Sequence, residues 1–193
     1  MTRKFWLTAI GLGMALACQS AAGQTSPKPE AAKPAPAPAP VSADPQSTTA
    51  NYGDWVVRCQ RVGEGAATQR VCEVAESIQT QGAQGPIAQI AFGRIAPADP
   101  MRLTLVLPPN ISFPSSPRLA VDEKDPRGID LSWRRCLPGG CFADAEIKDD
   151  LLQRWREQTG QGSLRFKDSA GRDVVLPFSF RGLAQALDAL AKS

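Results

Sequence analysis

MRLTLVL, residues 101–107, runs directly into PPN at 108–110. Met101, Leu103, Leu105 and Leu107 fall on one side of an extended chain, with Arg102, Thr104 and Val106 on the other. That period of two is the signature of a strand with one buried face. The two prolines then withdraw backbone donors and end the ladder. The same alternation opens at Trp55, where Trp55, Val57 and Cys59 oppose Val56, Arg58 and Gln60. Further strands are predicted over 70–79, 87–95, 118–123, 128–136, 141–147, 163–167 and 173–180, separated by the turn sequences QGAQGP, EKDPRG, LPGG and DSAGRD. Connections this short leave no room for the helical crossovers of a parallel sheet. The expected fold is all-β: an antiparallel sandwich of about eight or nine strands.

Two short peripheral helices complete the expectation. In DDLLQRWREQTG (149–160), Asp149 and Asp150 suit an N-terminus as capping groups, Leu151, Leu152 and Trp155 share a face, and Gly160 suits the closing turn. In SFRGLAQALDALAKS (179–193), Leu183, Leu187 and Leu190 keep helical spacing behind Ser179 as a candidate cap. This last helix is expected to cover one end of the sandwich.

Upstream of the domain the composition changes twice. Residues 1–23 combine Arg3 and Lys4, an apolar run from Phe5 to Ala17 and small residues to Gly23, which is the pattern of a secretory signal. Residues 24–50 form a Pro/Ala-rich linker whose only large apolar side chain before 51 lies at Val41, too little to build a core. Fully extended, such a spacer reaches ~80 Å at 3.1 Å per residue. Residues 51–193 then make one domain. Cys18, in MALAC, is a candidate lipidation site, although Ala15 and Leu16 stand in the reverse of the favoured order; cleavage after Gly23, in an A-x-G site with Ala21, is the simpler alternative.

Four cysteines remain in the domain, and an even number behind an export signal points to disulfides. Of the three possible pairings, Cys59 with Cys72 and Cys136 with Cys141 is favoured, because a local hairpin or turn brings each pair together. Loop closure assigns these bonds ~3 and ~2 kcal/mol. The spacing lacks the paired CxxC knuckles of a zinc site, and CLPGGC is two residues too long for a redox-active pair.

The sequence contains no histidine, which removes the usual general base, the commonest zinc ligand and the simplest pH switch. Residues 51–193 carry 18 Lys and Arg against 17 Asp and Glu, so no basic field invites nucleic acid. After Ala17 no apolar run approaches the ~20 residues of a membrane span.

GDWVVRC (53–59), VCEV (71–74), CLPGGC (136–141), DDLL (149–152) and LPFSFRGLAQAL (176–187) occur here in an order and spacing that resemble the invasion-associated locus B (IalB) family. The sequence departs from that family's pattern at Asn110 and Leu183. The resemblance implies an exported protein of Gram-negative bacteria with a β-rich domain. It implies a place in the periplasm or on the outer membrane, and a link to host-cell invasion in pathogenic members. It implies no known enzymatic activity, and no cofactor or metal is expected.

Candidate contact residues are few. Arg134 and Arg135 are expected to point to opposite faces of one strand, with Arg135 in phase with Ile129, Leu131 and Trp133 and either emerging at the strand end or paired to a carboxylate such as Asp144 or Glu146, an anion-binding role being the alternative. LPPNISFPSSP is expected to be a loop crossing between the sheets, with Ile111 and Phe113 as candidates for an apolar edge offered to a partner. The functional expectation is a non-enzymatic binding module acting on an unknown envelope or host-surface component, touching membrane only through a lipid on Cys18 or through that partner. The alternatives are an enzyme using carboxylates or arginine on cell-wall polymer, or a structural envelope protein.

Overall fold

The computed structural model describes residues 45–193, apart from 83 and 97. The signal and Cys18 lie outside the described residues, as does the spacer up to 44. The chain runs β1 (Ser47–Tyr52), β2 (Trp55–Val62), β3 (Gln69–Ile78), β4 (Ala88–Gly93), β5 (Arg102–Leu107), β6 (Arg118–Ala120), β7 (Ile129–Asp130), β8 (Ser132–Leu137), β9 (Gly140–Glu146), α1 (Asp149–Arg156), β10 (Gln161–Lys167), β11 (Asp173–Ser179) and α2 (Leu183–Leu190). Seven strands form one antiparallel sheet in the order β1-β2-β3-β4-β5-β9-β8, and four form a second in the order β11-β10-β6-β7.

Alternation decides which face of the large sheet is covered. Val57 opposes Val74, Val74 opposes Phe92, Phe92 opposes Leu103 and Leu103 opposes Ala145, so one apolar row crosses five strands. Phe92, Leu103 and Leu105 are wholly buried, each burial worth ~1.5–3 kcal/mol. The opposing layer supplies Leu119, Leu164 and Phe178. Between the layers sits an aromatic cluster in which Trp155 of α1 meets Phe92, Phe178 and Phe180 at centroid distances of 6.2, 5.7 and 5.8 Å. The indole N–H of Trp155 has no hydrogen-bond acceptor among the described residues. Helix α1 therefore plugs the core as well as flanking it.

Both expected disulfides are present, each joining directly opposed residues of neighbouring strands: Cys59 with Cys72 across β2 and β3, and Cys136 with Cys141 across β8 and β9.

Five local readings are corrected. The folded chain begins inside the expected spacer, since β1 pairs with β2 from Ser47 onward. The predicted strand over 128–136 is two strands in two sheets: the chain changes layer at Leu131, which is fully buried and donates its N–H to the Pro117 carbonyl. Asp149 and Asp150 do not cap α1; Lys148 occupies that position with no side-chain cap, and the two acids act on the first turn through the helix dipole. That helix ends at Arg156, short of Gly160. Gly182, at φ 90°, precedes α2 in place of Ser179. A side chain at Gly182 would fall 2.0 Å from the Tyr52 carbonyl oxygen, so α2 docks on the sheet by backbone approach.

Candidate functional site

The face of the large sheet turned away from the small one carries alternate residues of β2, β3, β4, β5 and β9. Register sets Arg58 opposite Glu73, Glu73 opposite Gly93 and Gly93 opposite Arg102. Two residues along, on the same face, Ala91 opposes Thr104 and Thr104 opposes Asp144. Gly93 and Ala91 put almost nothing above the sheet, so a trough opens between two banks of charge. Its cavity volume is about 400 Å³.

One bank is Arg58, paired with Glu73 and donating to Gln89 Oε1 at 3.2 Å. The other is Asp144, which accepts from Arg102 and, at 3.0 and 2.8 Å, from Nε and Nη2 of Arg134. Burial on its own would raise the Asp144 carboxyl, but the two guanidinium groups outweigh it and hold the group below the usual carboxylate range. The same contact lifts Arg134 above its ordinary value. At the open end Val62 and Ile95 are exposed, Ile95 at 75 %. The trough thus offers bidentate donors, carboxylate acceptors and an apolar lip to a partner.

The sequence-based candidates fall as follows. A bulge between Trp133 and Arg135 makes Arg134 the extra residue, so the two arginines do not simply alternate. The carboxylate pairing expected of Arg135 belongs to Arg134, while the Arg135 guanidinium stands 5.7 Å from the centre of the Phe142 ring. Ile111 is not exposed: it is 7 % accessible and bridges Asp168 of the other layer. Phe113 is half exposed and packs 5.6 Å from Trp133, whose indole N–H donates to the Ser115 carbonyl. The structure brings Arg134 to Asp144, which lines the trough, and leaves Ile111 and Phe113 on the crossing loop. Arg58, Glu73 and Arg102, which build the site with it, were missed; their sequence signal is only a polar residue at alternate strand positions.

A second polar cluster lies at the junction of the two sheets. Glu76 faces inward from β3 at 8 % exposure, and its carboxyl is pushed up to about 7, first by burial and further by Asp54, against the Ser179 N–H that it accepts. The Arg181 guanidinium and the Ser179 hydroxyl together hold Asp54 below the usual carboxylate range. Both carboxylates are engaged by Ser179 or Arg181, which makes the cluster a joint between elements.

The model of the invasion associated locus B (IalB) protein family matches residues 55–191. The chain belongs to the IalB family. The crystal structure of invasion associated protein B from Bartonella henselae superposes on it with a TM-score of 0.63 at 18 % identity, covering 75 % of this chain and 95 % of that one. At that identity the likeness is one of fold. No curated protein matches the chain. Because the IalB family match starts at Trp55, β1 falls outside it while every strand bordering the trough lies within it.

Proposed function

We propose that this IalB-family protein is an exported component of the cell envelope, acting without catalysis by binding a partner in the periplasm, on the outer membrane or at a host-cell surface. The observation that carries this reading is the trough on the uncovered face of the large sheet, where paired arginines and carboxylates flank an apolar lip. Such a surface recognises a polar, mixed-charge partner by contacts, its carboxylates being engaged by arginines. A family name tied to invasion and a matching Bartonella fold support it at the level of the family.

The test measures retention of the exported protein on outer-membrane vesicles and on host-cell membranes, beside Arg102→Gln/Arg134→Gln. Saturable retention on one of the two surfaces, weakened about tenfold in the variant, is expected. Retention on neither, or equal retention of both proteins, would overturn the reading.

A further inference from the structure

A second groove opens where α1 and α2 meet the ends of β3, β4 and β5. Val71, Met101, Leu152, Leu187 and Leu190 line its floor, with Met101 and Leu187 buried, and its cavity volume is about 390 Å³. That is within the size of a small-molecule site. Three arginines stand at its mouth: Arg70, Arg94 and Arg156.

Their charges are not equally compensated. Arg156 is paired with Asp188. Arg70 donates to the Thr48 hydroxyl at 3.2 Å and Arg94 to the Asp99 carbonyl at 3.0 Å, both neutral acceptors. Among the described residues neither has a carboxylate within ion-pair distance, and the Asp99 carboxylate itself is turned to the Ala96 N–H. Two uncompensated guanidinium groups above a hydrocarbon floor complement an anion joined to an alkyl chain. A glycan would leave the floor uncovered, as would inorganic phosphate, and a neutral chain would not use the arginines.

We propose that this groove binds one fatty acid molecule, with its chain along Met101, Leu152 and Leu187 and its carboxylate at Arg70 and Arg94. The site adjoins the trough through Val71, Arg94 and Ile95, and its ligand is distinct from the partner proposed there.

Calorimetric titration of the exported protein with dodecanoate below its micelle concentration tests this, with acetate and dodecyl maltoside as head-only and chain-only probes. One saturable site for dodecanoate is expected, with both other probes at least about tenfold weaker. Arg70→Gln/Arg94→Gln, two exposed positions, should weaken dodecanoate by about tenfold while leaving the circular dichroism spectrum and disulfides unchanged. A diazirine-bearing fatty acid should label peptides within 94–101, 149–156 or 183–193. Equal binding of dodecyl maltoside, equal binding of acetate, labelling confined to other peptides, or no binding would each overturn the proposal.

Discussion

Both carboxylate oxygens of Glu76 take the backbone N–H of Ser179, at 2.9 and 3.1 Å, across 103 positions of sequence. Ser179 is held at every polar atom it has. Its hydroxyl donates to Asp54 at 2.6 Å and accepts the Arg181 N–H, and its carbonyl accepts the Trp55 indole N–H at 2.8 Å. The last residue of β11 is thereby fixed to β2, β3 and the β1–β2 turn. A buried polar network that is fully satisfied specifies one arrangement of its layers.

The position of Glu76 has a pH consequence. Its carboxyl is raised from 4.5 to about 7, so between those values the folded chain holds a proton that the unfolded chain releases. The stability this group contributes is full below pH 4.5 and is lost as pH rises through about 7, on the order of 2–3 kcal/mol. Glu76→Gln should flatten the denaturant midpoint between pH 5 and 8, where the wild type declines. An unchanged slope in the variant would refute the assignment.

Asp125 titrates the other way. Arg154 donates to it at 2.8 Å, and with the N–H groups of Arg127 and Val121 it holds the carboxyl down at about 2 against the pull of burial. Its contribution is present above the ordinary carboxylate range and fades as pH falls through about 2. Asp125→Asn should cost about 2 kcal/mol at pH 7, below the usual loss for a broken buried pair because the Arg154 side chain keeps 20 % of its surface in water. Urea midpoints at pH 7 and pH 3 measure both effects, and the difference between variant and wild type should shrink at the lower pH.

Gly182→Ala should be among the most disruptive single-methyl changes in the domain. It combines φ 90° with a new carbon 2.0 Å from a backbone oxygen that cannot turn aside. A loss of more than about 2 kcal/mol is expected. Gly85→Ala, where nothing lies within 4 Å, serves as the control and should stay within about 0.5 kcal/mol. Thermal melts of the two variants decide the matter.

Removal of the cysteine pairs should be graded. Cys59→Ala/Cys72→Ala should lose ~3 kcal/mol and Cys136→Ala/Cys141→Ala ~2 kcal/mol, following the loops they close. Intact mass of the oxidised protein should rise by four hydrogens on reduction. A gain of fewer would mean that one pair is not formed.

What the sequence disclosed follows from where the physics is local. Strands β2 and β5 were legible because burial of one face writes a period of two into Trp55, Val57 and Cys59 and into Leu103, Leu105 and Leu107. Strand β1 was not: STTANY is mostly exposed, and its pairing lies in backbone bonds to β2 that no side chain announces. The layer change at Leu131 was hidden for a related reason, since a buried leucine reads alike within a strand and between two. The Arg134 bulge shifted the expected partner of Arg135 by one residue, enough to move a side chain to the other face. The trough eluded the sequence reading because its charges come from separate strands, and Glu76 because its partner lies on another layer.

The cystine map has a biosynthetic corollary. Each bond links nearest neighbours, 13 and 5 positions apart, whereas any crossed pairing would span far longer stretches of chain. Ring closure favours the short spans, so the native bridges are the ones a newly made polypeptide meets first. A compartment holding a simple oxidant, with no isomerase to reshuffle mistakes, is enough to mature this protein.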